Sequence, residues 1–93
     1  MRAKSIHVTG VVQGVGFRPF VYTLARRLAI YGWVRNTSAG VDIHAEGTPE
    51  AVASFLAALT NEAPPLARID RVSEQDAAPE DFTAFEIRES AAV

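Results

Sequence analysis

Around Gly14 and Gly16 the apolar pattern of the chain changes period, from that of a strand to that of a helix. Before the glycines, Ile6, Val8, Gly10 and Val12 alternate with Ser5, His7 and Thr9, which predicts a strand over 5–12 with one buried face. After them, Phe20, Val21, Leu24 and Leu28 recur at helical spacing, with Ala25 and Ala29 on the same side, so a helix is expected from Phe17 or Pro19. Pro19 suits a first helical turn, where its missing N–H removes no bond, and Gly32 is the expected stop. A helix with one apolar stripe needs a surface to cover. The strand just before it offers one face of a sheet.

The rest of the chain supplies that sheet. Trp33 to Asn36 reads as a short strand. Thr37-Ser38-Ala39-Gly40 has turn chemistry, with Gly40 able to take a positive φ. Val41, Ile43 and Ala45 alternate with Asp42, His44 and Glu46 as the second arm of a hairpin, polar side outward. Thr48-Pro49-Glu50 is a helix start, with Thr48 capping, Pro49 in the first turn and Glu50 near the positive end of the dipole. Val52, Phe55, Leu56 and Leu59 form its stripe, and Asn61 to Pro65 ends it. Leu66, Ile69 and Val72 are assigned to a fourth strand. The opposite parity of Ile69 and Val72 predicts a bulge or burial on both faces. Ala77 to Asp81 reads as a loop, and Phe85 and Ile87 mark a short last strand. The predicted order is β-α-β-β-α-β plus a short C-terminal strand. Two helices with one stripe each must pack on one face of an antiparallel sheet, an α+β ferredoxin-like split βαβ sandwich.

Composition sets the outer bounds. The chain has 93 residues, 48% of them apolar and 22% charged, enough for one core and too little for two. It is expected to be a single domain over 1–93 with its core at about 4–89. There is no cysteine, which excludes disulfides, thiolate metal sites and a cysteine nucleophile. No apolar run approaches the ~18 residues of a membrane span, and the start of the chain does not read as a secretory signal. A cytoplasmic protein without membrane contact is expected. The net charge of −2 hides an asymmetry: residues 1–46 hold six Lys/Arg against two Asp/Glu, and residues 47–93 hold three against nine. Local positive charge in an acidic chain suits a small anion. Nucleic acid would call for a basic stripe over the whole domain, and no nucleic-acid partner is expected.

The segment Gly10-Val11-Val12-Gln13-Gly14-Val15-Gly16-Phe17-Arg18 joins a strand to a helix N-terminus. Amides there are unpaired and the helix dipole adds positive character. Gly14 and Gly16 allow the chain to curl until successive N–H groups converge on an anion. Arg18 adds a planar fork that matches two phosphate oxygens. No Gly-Lys-Ser/Thr follows, so this is not a nucleotide-binding P-loop. Taken alone, the glycines also suit a plain tight turn, and Asn36 a plain strand end.

Val12-Gln13-Gly14-Val15-Gly16-Phe17-Arg18 together with Gly32-Trp33-Val34-Arg35-Asn36-Thr37 closely resembles the acylphosphatase family. The resemblance spans about residues 4 to 89. It implies that Gln13, Gly14, Val15, Gly16, Phe17 and Arg18 bind a phosphoryl group, that Arg18 is the catalytic arginine, and that Asn36 orients the attacking water. It implies no metal and no cofactor. Three further stretches, Gly16 to Tyr22, Pro64 to Asp70 and Phe82 to Ser90, resemble the N-terminal domain of the hydrogenase-maturation carbamoyltransferases, the HypF family. That narrower resemblance implies hydrolysis of carbamoyl phosphate or another acyl phosphate, with inorganic phosphate as product. The partners would be the remaining domains of a larger maturation protein. A free-standing acylphosphatase and a phosphate-binding scaffold without turnover are the alternatives.

Other residues carry plainer readings. His7 and His44 fall on the polar faces of neighbouring strands and are expected as exposed sheet residues, since two histidines without a third ligand make a poor metal site. Arg26-Arg27 is expected on the solvated side of the first helix. Trp33, Phe20 and Phe55 are expected in packing roles. Arg68 and Asp70 read either as a surface pair or as a docking point.

Overall fold

The computed structural model describes residues 1–90. Seven elements follow in order: β1 (Arg2–Val11), α1 (Phe17–Arg27), β2 (Tyr31–Thr37), β3 (Gly40–Gly47), α2 (Pro49–Asn61), β4 (Arg68–Ala77) and β5 (Phe85–Ile87). The strands form one five-stranded sheet in the order β4-β1-β3-β2-β5, with β3 at its centre between β1 and β2. Both helices cover the same face, the ferredoxin-like arrangement.

The core is the meeting of those apolar stripes. Ile6 and Val8 of β1, Val34 of β2, and Val41, Ile43 and Ala45 of β3 are buried against Val21, Leu24 and Ala25 of α1 and Val52, Phe55 and Leu59 of α2. Phe55 and Phe85 meet with ring centroids 6.4 Å apart, tying α2 to the last strand. Thr48 caps α2 as expected: its hydroxyl accepts from the Ala51 amide at 3.1 Å. Among the described residues no helix is long and apolar enough to cross a membrane.

Four details differ from the sequence-based expectations. First, β4-β1-β3-β2 is antiparallel throughout, but β5 runs parallel to β2, which makes the sheet mixed. The cause is topological. The short connection 78–84 leaves and rejoins the sheet at one end, so β5 must run against β4, and β2 also runs against β4. Second, α1 stops at Arg27, not near Gly32. Ala29 takes the left-handed conformation at φ 57°, and the Ile30 amide donates to the Ala25 carbonyl at 2.8 Å. Gly32 instead lies inside β2, where a Cβ would sit 1.9 Å from the His44 carbonyl oxygen. Third, Leu66 lies outside β4 and is 76% exposed. The parity conflict of Ile69 and Val72 is resolved by the bulge: the register shifts between Thr9 and Gly10, which skips Asp70 and lets both apolar residues pack against the core. Fourth, His44 and Glu46 are buried although they point away from the helices.

Candidate active site

The loop between β1 and α1 is anchored at both ends and free in the middle. Val12 and Phe17 are buried in the core, and Phe17 packs on Phe20 with centroids 5.6 Å apart. Between them Gly14 (φ 73°) and Gly16 (φ 80°) take the left-handed conformation, and both are exposed. This is a conformation that residues with a Cβ adopt only at a cost. Gly16 is the N-cap of α1 and offers no side chain to the helix start. The first bond of the helix is Phe20 N–H to the Gly16 carbonyl, 3.2 Å. Among the described residues, no main-chain amide from Gln13 to Arg18 donates to another protein group. A row of unpaired donors at the positive end of a helix is what an anion requires.

Arg18 is half-buried beside this row. Its Nη1 donates weakly to the Arg88 carbonyl at 3.4 Å, just past the end of β5. It makes no salt bridge among the described residues, although the chain has more carboxylates than cations. Asn36 arrives from β2, where it pairs with Val41 of β3. Its Oδ1 is buried and has no hydrogen-bond partner among the described residues. Gly14, Gly16, Arg18 and Asn36 line one cavity of about 230 Å³ together with Val12, Phe17 and Pro19. Larger hollows exist, such as one of about 370 Å³ beneath the end of α1 against Tyr22, Tyr31 and Phe85. Of these two, the smaller gathers open amides, a guanidinium and a carboxamide.

Two residues of the expected loop face elsewhere with their side chains. Val15 packs against the core. Gln13 turns to the β2–β3 hairpin, where its Nε2 donates to the Thr37 carbonyl at 2.6 Å and the Gly40 carbonyl at 2.9 Å. Neither Gln13 nor Val15 lines the cavity that Arg18 and Asn36 share. The two histidines take separate partners. His7 places Nδ1 2.5 Å from Asp42 Oδ1 and Nε2 3.2 Å from the Ala39 carbonyl.

Residue-by-residue reasoning missed a second polar centre, on the face of the sheet away from the helices. Glu46 is 0% exposed. Its carboxylate accepts from the Glu80 amide (2.5 Å), the Phe82 amide (3.2 Å) and His44 Nε2 (2.7 Å). Burial by itself pushes this carboxyl up. The Glu80 amide, the His44 ring and the Phe82 amide together outweigh it and hold the group below its ordinary value. His44, 5% exposed, lies between Trp33 (centroids 6.2 Å) and Phe82 (5.4 Å). Alternation in β3 assigned both residues to solvent, because nothing in the local pattern shows that segment 78–84 crosses over them.

A family model described as acylphosphatase matches residues 4–87. The chain is 55% identical over 86 residues to carbamoyltransferase HypF2 of Cupriavidus necator, covering 91% of this chain but 11% of that protein. It is 43% identical over 88 residues to the acylphosphatase of Pseudothermotoga lettingae, covering 94% of this chain and 98% of that one. Among solved structures, full-length HypF in its phosphate- and nucleotide-bound form superimposes with a TM-score of 0.93 at 34% identity, over 96% of this chain and 12% of that one. The chain thus spans about a ninth of the length of the carbamoyltransferases it matches.

Proposed function

The chain belongs to the acylphosphatase family, and from that footing we propose that it hydrolyses acyl phosphates, carbamoyl phosphate among them, at the cavity between the glycine loop and Asn36. Phosphoryl transfer asks a protein mainly for position and for charge that matches the transition state. Amides of residues 13–18 and the Arg18 guanidinium hold the equatorial oxygens of the phosphoryl group. Asn36 accepts a hydrogen bond from the attacking water through Oδ1. Water adds to phosphorus as the bond to the acyl oxygen breaks, and the electron pair leaves with that oxygen. The products are inorganic phosphate and a carboxylate, or carbamate from carbamoyl phosphate. The leaving group is already stable as an anion, so no general acid is required, and a carboxamide cannot serve as a general base.

One observation carries this reading: the buried Oδ1 of Asn36 and the Arg18 guanidinium, the first without a hydrogen-bond partner and the second without a salt bridge among the described residues, share a cavity with open amides. An orphaned buried acceptor costs about 1–3 kcal/mol, and a water in that cavity would relieve it. The test is incubation with acetyl phosphate and carbamoyl phosphate at neutral pH, following release of inorganic phosphate. Release at the spontaneous rate from both leaves only a phosphate-binding scaffold.

We further infer that the domain, residues 1–93 with its core at 4–89, serves as the N-terminal part of a hydrogenase-maturation carbamoyltransferase, with the other domains of that protein as partners. The higher identity to HypF2 than to the free-standing acylphosphatase favours this over the alternative of a free-standing enzyme. Cys-x-x-Cys pairs encoded in the same reading frame beyond Val93 would support it, and a stop codon there would favour the alternative.

A further inference from the structure

We propose that Gln13 is a positioning residue whose carboxamide straps the anion loop to the end of β2 and so fixes where Asn36 aims its oxygen. This rests on the acyl-phosphate reading of the cavity. Residue 13 stands between the buried anchor Val12 and Gly14, inside the loop that would hold the phosphoryl group. Its side chain leaves that loop and spans to the hairpin carrying Asn36. Both partners are carbonyl oxygens, so only the NH2 end of the amide can face them, and both of its hydrogens are used. Thr37 follows Asn36 directly, and Gly40 is the register partner of Thr37 across the turn. Gln13 thus grips both shoulders of the two-residue turn Ser38-Ala39.

The end of β2 needs such a brace. β5 pairs with Gly32, Trp33 and Val34 only, and the last contact on that side is Arg88 N–H to the Val34 carbonyl. Among the described residues, β2 from Arg35 to Thr37 has a sheet neighbour on the β3 side alone. Among the described residues, the two Gln13 bonds are the only hydrogen bonds between residues 12–16 and 36–40. One limb would carry the anion and the other the water. The strap sets their distance. The bonds lie near the surface and add little to global stability, but a misplacement of about 1 Å between reacting groups can lower a rate roughly 10²-fold.

Gln13→Met keeps length and bulk and removes both donors. We expect kcat for acetyl phosphate to fall by about 10- to 100-fold. The inhibition constant of inorganic phosphate should stay within about threefold, because the amides and Arg18 are untouched. In an Asn36→Ala background the same substitution should change kcat by less than about twofold, since the group it positions is gone. In the ligand-free protein, hydrogen exchange at the Gly40 amide, which closes the hairpin, should be faster in Gln13→Met. An unchanged kcat overturns the proposal. So does a phosphate constant that rises in step with the loss of kcat, which would make Gln13 an anion ligand, or a full effect without Asn36. If the parent protein releases no phosphate from acetyl phosphate, the proposed function fails. The strap is then judged on exchange alone: faster exchange supports it, and unchanged exchange overturns it.

Discussion

A guanidinium in the first turn of a helix faces the positive end of the dipole, an unfavourable place without an anion. Arg18 occupies that place without a salt bridge among the described residues. On the proposed function, a phosphoryl group bound beside Arg18 would relieve this tension. Arg18→Ala should therefore abolish inhibition by inorganic phosphate and turnover together. Asn36→Ala should lower kcat by about 10²–10³ and leave phosphate inhibition nearly intact. Its thermal stability should not fall, because the change removes a buried acceptor that has no partner. Steady-state kinetics with phosphate as inhibitor, beside a thermal melt, checks all three. Equal loss of phosphate binding in both variants would contradict the division of roles. These two side chains stood out in the sequence through the resemblance of their flanking motifs to acylphosphatases, since by type alone Asn36 also suits a plain strand end. The direction of the Gln13 side chain was not legible there, since it depends on a hairpin more than twenty residues further along.

At the scale of elements, most of the strands and helices follow from apolar period, and their ends follow from hydrogen bonds. The end of α1 shows the difference. Gly32 looked like the natural stop, yet the chain turns at Ala29 and keeps Gly32 for the close approach of β2 to β3. The amides of Ala29 and Ile30 donate to the Arg26 and Ala25 carbonyls at 3.5 and 2.8 Å, which closes the helix with a left-handed residue that is not glycine. Ala29→Gly should relieve that conformation. After the greater flexibility of glycine in the unfolded chain is subtracted, the gain should be about 0.5–1 kcal/mol. A melting temperature a few degrees higher by calorimetry, with unchanged kcat, is the expected result. The parity of Ile69 and Val72 left open a bulge or burial on both faces, and the register shift opposite Gly10 shows that the bulge is the solution used.

At the scale of the molecule, the carboxylate of Glu46 holds segment 78–84 across the open face, and that segment delivers β5 to the far edge beside β2. Its acidity in the folded state exceeds that of an exposed glutamate, the balance of burial against the Glu80 amide, the His44 ring and the Phe82 amide. The sign follows from linkage. A folded-state value below the unfolded one adds stability that is complete above the ordinary glutamate value of 4.5 and is lost as pH falls through the folded value. Urea titrations should show stability declining in that acid window. Glu46→Gln should cost about 1–3 kcal/mol at pH 7 and flatten the decline, because an amide cannot accept from every donor gathered there. The same melts at pH 7 and below pH 4.5 decide it: a Glu46→Gln protein with the parent's stability and acid profile would remove Glu46 from this role. Hydrogen exchange should rise first at Glu80 and Phe82, whose amides lose their acceptor.

Arg18 and Asn36 were singled out together by the resemblance of their flanking motifs to acylphosphatases; the chain's own pattern carried the strand-helix order, the two apolar stripes and the glycine curl. Each of these depends on residue type and on spacing within a few positions. Tertiary structure alone decided that β5 joins parallel to β2, that Glu46 and His44 are buried, that Gln13 reaches the hairpin and that Arg18 meets the Arg88 carbonyl. These are contacts between segments twenty-four to seventy residues apart, or consequences of one segment crossing a face. A local pattern records which side of a strand is polar. It does not record what later lies down on that side.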